Sequence, residues 1–258
     1  MLRSRIIPIL LVQNKGLVKT TKFRAPKYVG DPINAVRIFN EKEADELCVF
    51  DIDATVQGSR PDFSLIEKLA GECRMPLCYG GGVSSVEDAL RILSLGVEKV
   101  ALSSSAVNRP ELVSQIARKA GAQSVAVVLD IKRAMFGGLK LTTHNASVSQ
   151  SIDPLEFAAQ MEAMGAGEII LNFVDLDGTM NGYDIKVVKK FRDKLSLPIT
   201  AVGGCGSDDD LRELMYEFSP IGCAAGSYFV FKGKYKAVLI SYPNAAEKQD
   251  LLVKSVGH

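Results

Sequence analysis

The sequence has no Cys-x-x-Cys pair, no apolar run long enough to cross a membrane, and almost no net charge. Its five cysteines, Cys48, Cys73, Cys78, Cys205 and Cys223, are odd in number and mostly lie inside apolar runs. There a thiol behaves as a small hydrophobe. This usage argues against a disulfide framework and a metal site, and implies a reducing cytosol with no cofactor. The longest early apolar run, Ile6 to Val12, is too short to span a bilayer and has no signal-peptide cleavage pattern. A cytoplasmic protein without membrane association is expected. A net charge of +1 with 47% hydrophobic and 24% charged residues fits an ordinary globular core and excludes a protein built to coat nucleic acid. At 258 residues the chain can form a single large domain, and an eight-stranded α/β barrel has about this length.

Short β-branched runs alternate with amphipathic stretches of about a dozen residues, the spacing of repeated βα units around a parallel sheet. The strand candidates are Arg5–Val12, Glu46–Asp51, Pro76–Tyr79, Lys99–Leu102, Ser124–Asp130, Glu168–Phe173, Pro198–Val202 and Gly222–Ala225. All are nearly unbroken in apolarity, as strands buried on both faces must be. Helix starts are marked by Asp31-Pro32, a capping box Ser84-x-x-Glu87, Asn108 before Arg109-Pro110-Glu111, and Asp153-Pro154 with Glu156.

The chain aligns with itself at an offset of about 120 residues. Asp51-Ile-Asp53-Ala-Thr55 recurs as Asp175-Leu-Asp177-Gly-Thr179, Pro76 to Gly82 as Pro198 to Gly204, and Leu102 to Ser105 as Ala224 to Ser227. Each half carries four βα units, so a single α/β domain, a (β/α)8 TIM barrel over 1–258, divides into half-barrels of about 1–121 and 122–258. Two open half-sheets would give the same repeat. A closed barrel is preferred because it leaves no strand edge unpaired.

Several clusters point to chemistry at the C-terminal ends of these strands. Gly80-Gly81-Gly82 and Gly203-Gly204 each follow a strand and precede a helix, where bare amides can hold a phosphate. Ser103-Ser104 and Gly226-Ser227 follow the fourth and eighth strands, and two such sites suit a substrate phosphorylated at both ends. Glycines serving only tight turns are the plain alternative. Asp130 ends the fifth strand and is a candidate general acid or base, or else a loop-anchoring carboxylate. The repeat sets it opposite Leu11, an alkyl group that cannot transfer a proton. Gln13 to Gly30 contains Lys15, Lys19, Lys22, Arg24 and Lys27 and no acid. It reads as a mobile basic lid with Lys19 nearest the substrate, or as merely solvated lysines. Arg5, Glu46, Lys99 and Glu168 begin four strands with alternating charge, and strand parity puts Arg5 on the same face as Leu11. They form either an inward neutral ring across the barrel floor or ion pairs capping strand ends.

From Arg5-Ile6-Ile7 to Gly226-Ser227 the chain resembles the cyclase subunit of imidazole glycerol phosphate synthase. The resemblance implies that Arg5, Glu46, Lys99 and Glu168 gate ammonia from a glutaminase subunit docked on the N-terminal barrel face. It implies that Lys19 is the lid lysine and Asp130 one of two catalytic aspartates. Asp177-Gly178-Thr179 with Gly203-Gly204 and Gly226-Ser227 matches one phosphate site, and Gly81-Gly82 with Ser103-Ser104 resembles the other. The family reaction adds ammonia to a linear ribulosyl formimino-aminoimidazole carboxamide nucleotide and closes an imidazole ring. Leu11 stands where the second aspartate belongs, and His144 and Asn145 stand where small hydroxyl residues are usual. The chain therefore looks more like a diverged branch that works with a glutaminase and a sugar amidotransferase to build acetamidino groups on surface-polysaccharide sugars. A histidine-pathway lyase, a non-catalytic ammonia conduit and the related sugar isomerase barrel are the rivals. Leu11 and the charged floor both count against the isomerase.

Overall fold

The computed structural model describes residues 3–135 and 137–253. The elements run β1 (Arg5–Gln13), β2 (Gly16–Thr21), β3 (Arg24–Gly30), α1 (Pro32–Glu41), β4 (Leu47–Asp51), α2 (Phe63–Glu72), β5 (Leu77–Gly80), α3 (Val86–Ser94), β6 (Lys99–Leu102), α4 (Ser104–Asn108), α5 (Glu111–Ala120) and β7 (Val125–Arg133). They continue as β8 (Leu139–Thr143), β9 (Val148–Ser149), α6 (Pro154–Ala163), β10 (Glu168–Phe173), α7 (Ile185–Lys194), β11 (Ile199–Val202), α8 (Asp208–Phe218), β12 (Gly222–Ala225), α9 (Ser227–Val230), β13 (Phe231–Lys232), β14 (Ala237–Val238) and α10 (Ala245–Val253).

Eight parallel strands pair in the order β1-β4-β5-β6-β7-β10-β11-β12, and β12 pairs back with β1. The sheet is closed, a (β/α)8 barrel rather than two open half-sheets. Parity divides its residues into two cores. Ile6, Leu10, Val49, Tyr79, Val100, Val127, Ile169 and Ile199 point outward against helix faces such as Val86, Ala89 and Ile92 of α3. Ile7, Ile9, Cys48, Cys78, Ala101, Ala126, Val128, Ile170, Val202 and Ala224 point inward and fill the lumen. Burial on both sides explains why the strands read as continuous apolar runs.

Two strands overrun their expected ends, both for the same reason. β1 continues past Val12 through a turn at Asn14 and Lys15 into β2, and β7 continues past Asp130 to Arg133 and pairs antiparallel with β8. These hairpins sit at equivalent places in the two halves. Asn14-Lys15 and Lys22-Phe23 turn with positive φ, yet lack the Asn-Gly or Asp-Gly signature that makes such turns recognisable. Two caps also differ from expectation. Ser85, not Ser84, caps α3 by accepting the Asp88 amide at 3.0 Å, and Asn108 ends α4 instead of capping α5. Asp31 and Asp153 cap α1 and α6 as expected.

Candidate active site

The C-terminal mouth of the barrel holds a cavity whose lining includes Ile9, Leu11, Lys19, Phe50, Gly81, Val128, Asp130, Asn172, Asp177, Gly178, Val202, Gly203, Gly204, Gly226 and Ser227. Asp130 arrives on β7 and is 9% exposed. Its Oδ1 accepts Asn172 Nδ2 at 2.8 Å and its Oδ2 accepts the Ser103 hydroxyl at 3.2 Å. Burial pushes the carboxyl up to about 7, against the pull of those two donors and with a small push from Asp177. A carboxyl that titrates near neutrality is suited to giving and taking protons.

Lys19 is carried by β2, the first strand of a hairpin that folds over the mouth. Of the five basic residues in this segment it alone is buried. Its Nζ donates to the carbonyl of Ile9 and lies 2.8 Å from where a Cβ at Gly226 would stand, so any side chain there would collide with the ammonium. Burial lowers Lys19 to about 8, with Asp177 opposing the shift. The hairpin is fastened by Asp177, whose Oδ2 accepts the Thr20 hydroxyl at 2.6 Å and the Phe23 amide at 3.1 Å. Lys15 pairs with Asp62 at 3.3 Å, and Lys22, Arg24 and Lys27 are exposed.

Leu11 faces the same cavity from β1, in register with Phe50 of β4. With Ile9, Val128 and Val202 they form an apolar wall, so the lumen side of the mouth has one carboxylate where the repeat calls for two.

The glycine loops fall unequally. Gly178, Gly203, Gly204, Gly226 and Ser227 line the cavity with Asp177, whereas Thr179 turns its hydroxyl back to the Leu176 carbonyl at 2.8 Å. From the first-half loops Gly80 and Gly81 line it, whereas Gly82, Ser103 and Ser104 do not. Neither Gly82 nor Gly204 has room for a side chain. A Cβ would meet the Ser59 carbonyl at 2.7 Å in the first case and the Gly182 carbonyl at 1.9 Å in the second, so protein backbone fills both spaces.

At the opposite end, Arg5 and Lys99 each bridge Glu46 and Glu168. Arg5 touches Glu46 and lies 2.8 Å from Glu168, and Lys99 Nζ lies 2.6 Å from Glu46 and 2.7 Å from Glu168. β6 is not a neighbour of β10, nor is β1. These pairs therefore cross the lumen and close a ring, which ion pairs confined to adjacent strand ends could not do. Thr200 adds a buried hydroxyl donated to Glu168. Burial opposes the charge on Glu168, but Lys99 and Arg5 outweigh it and hold the carboxyl below its ordinary range. Lys99 is likewise held above its ordinary range by Glu168 and Glu46 in spite of burial.

Sequence reasoning missed Asn172, Thr20, Thr200 and Phe50. Asn172 and Thr200 had a usable signal, because strand parity puts each on the lumen face, in line with Glu168 and Val202 respectively.

Residues 5–236 match the model of a family described as histidine biosynthesis protein. A Vibrio vulnificus protein named provisionally as the imidazole glycerol phosphate synthase subunit HisF3 is 56% identical over 253 residues, covering 98% of this chain and 97% of that protein. A Pseudomonas aeruginosa protein named provisionally as the subunit HisF2 is 48% identical over 244 residues, 95% of this chain and 97% of its own. The imidazole glycerol phosphate synthase subunit HisF of Hyphomonas neptunium is 40% identical over 231 residues, 90% of this chain and 91% of its own.

Proposed function

Because this chain belongs to the histidine biosynthesis protein family, and within it to the HisF-type cyclase subunits of imidazole glycerol phosphate synthase, we propose that it is the synthase subunit of a glutamine-dependent complex whose acceptor chemistry has diverged from imidazole ring closure. Ammonia from a glutaminase docked on the N-terminal face enters past Arg5, Glu46, Lys99 and Glu168. A phosphorylated small molecule waits at the mouth, its phosphate held by the glycine loops beside Lys19. Asp130 carries the proton transfers. The observation behind the divergence is Leu11, which supplies an apolar surface at the position symmetry assigns to a second acid or base. One positioned acid–base group contributes about 10²–10⁴-fold, so cyclisation of the ribulosyl nucleotide is expected to be poor. The acceptor is instead an activated sugar on the way to an acetamidino group of a surface polysaccharide, with a sugar amidotransferase as the third component.

The experiment compares glutamine-driven with ammonium-driven product formation in the complete system, for the wild type and for Lys99→Ala. Loss confined to the glutamine-driven reaction is expected, because only that route requires passage through the floor. Stability is measured alongside, since the variant leaves two buried carboxylates with a single cation. Equal loss on both nitrogen sources, in a folded variant that binds the glutaminase, rules out the gate. High wild-type turnover of the ribulosyl nucleotide returns the chain to the histidine pathway.

A further inference from the structure

One hydrogen bond ties together two loops from different halves of the mouth. Asn145 Nδ2 donates to the Ile52 carbonyl at 2.8 Å, linking the turn of the β8–β9 hairpin to the loop after β4. Beside it the His144 amide reaches the Ser104 hydroxyl at 3.4 Å. His144, Asn145 and Ala146 all adopt the left-handed conformation, with φ of 52, 54 and 59°. For residues with a side chain this conformation costs roughly 1–2 kcal/mol each, and it persists only where surrounding contacts over-determine it.

This turn lies over the end of the cavity bounded by Asp51, Ile52, Gly80 and Gly81, and Asn145 itself lines that end. Two donors that a phosphate would use there, the Ser103 hydroxyl and the Gly82 amide, are engaged within the protein. Ser103 donates to Asp130 and Ser104 accepts from His144. The Gly82 amide donates to Thr55 Oγ1 at 3.4 Å. The far end differs, because Gly178, Gly203, Gly204, Gly226 and Ser227 all face the cavity and the buried ammonium of Lys19 stands over Gly226. Between the two ends lie Leu11 and Phe50.

We propose that Asn145 determines specificity by clasping shut the Gly81–Ser104 end of the mouth. The site then takes a ligand with one phosphate, seated at Gly204 and Ser227 beside Lys19, and an uncharged body lying against Leu11 and Phe50. This rests on the phosphate-binding mouth proposed above and departs from a substrate phosphorylated at both ends.

The full chain and Asn145→Ala, each checked by its thermal melt, are crystallised with inorganic phosphate and titrated with glycerol 3-phosphate and with fructose 1,6-bisphosphate. The wild type is expected to show one anion, at the Gly204 end, and Asn145→Ala a second near Gly81. Affinity for the bisphosphate rises at least about tenfold in the variant, and glycerol 3-phosphate is unchanged. Two anions in the wild type, or one anion and unaltered bisphosphate affinity in the variant, overturn the clasp while leaving the phosphate-binding mouth standing. A wild type that binds no phosphate at either end overturns both.

Discussion

The floor and the mouth of this barrel use buried charge in opposite ways. At the floor each of four charges meets two partners of opposite sign, and the group is neutral and locked. At the mouth Asp130 is held by neutral donors and Lys19 by a backbone carbonyl, and neither forms an ion pair among the described residues. The result is visible in their titration. Pairing drives Glu168 down and Lys99 up, whereas desolvation without pairing brings Asp130 to about 7 and Lys19 to about 8. Charges that build the fold are compensated. Charges available for proton transfer are left uncompensated so that both of their protonation states are within reach near neutral pH.

The largest test of this contrast is at the mouth. Asp130→Asn is expected to lower ammonium-driven turnover by about 10²–10⁴-fold, and Leu11→Asp to raise cyclisation of the ribulosyl nucleotide by a sizeable part of that range. Steady-state kinetics with ammonium salts reads both. An Asp130→Asn variant of undiminished activity would reduce this carboxylate to a loop anchor.

Next comes the floor, where the effect is on stability. Glu168→Ala leaves Arg5 and Lys99 sharing one carboxylate, and removing one partner from a buried charge network costs about 3–5 kcal/mol. Denaturant unfolding measures it. A loss under about 1 kcal/mol, the range of exposed pairs, would mean that water penetrates and screens the ring.

The pH dependence of stability separates the two ends further. Asp130 has its folded-state value raised from 3.8 to about 7. Its contribution is therefore fully present below about pH 4 and is lost as pH rises to about 7, because the unfolded chain ionises first. The span, about three units, corresponds to at most about 4 kcal/mol, and water in the open mouth reduces it. Asp130→Asn should abolish this slope and be more stable than the wild type at pH 8. Unfolding curves from pH 4 to 8 that superimpose in shape for the two proteins would contradict this desolvation. Glu168, depressed by its partners, acts in the opposite direction: its contribution is present above its unfolded value and is lost as pH falls.

The smallest expected effect concerns Thr200. Thr200→Val removes a buried hydroxyl from Glu168 without altering charge, and a hydrogen bond to an ionised group is worth about 1.5–3 kcal/mol. The lower end is expected because Glu168 retains both cations. No change in the unfolding midpoint would show that the hydroxyl adds nothing to the ring.

Much of this contrast is written in local sequence. The eight barrel strands are legible to within a few residues, since burial on both faces leaves continuous apolar runs bounded by turns. The Leu11–Asp130 pairing follows from the repeat, and the inward direction of Arg5 from a period of two. The hairpin β1–β2 was not legible, because its turn uses Asn14-Lys15, a pair with no strong preference, whereas β7–β8 turns through Gly137-Gly138, a signal that the sequence did offer. The segment from Gln13 to Gly30 is a folded hairpin over the mouth that sends Lys19 inward and leaves Lys15, Lys22, Arg24 and Lys27 at the surface. The cap on α3 lies one residue from its expected place because the hydroxyls of Ser84 and Ser85 are equally able acceptors for a first-turn amide and only the helix register chooses between them.

Sequence by itself determined the eight βα units, their doubled arrangement, the parity of their faces and the missing carboxylate at position 11, all of which follow from short-range periodicity and self-similarity. The tertiary structure alone decided that four charges from non-neighbouring strands meet across the floor, that Asn172 and Ser103 hold Asp130, and that Asn145 reaches Ile52 over one end of the mouth. Such contacts join residues between 27 and 163 positions apart. Whether two side chains meet at that separation depends on strand tilt, register and closure, quantities set by the packing of the whole sheet and by no local pattern.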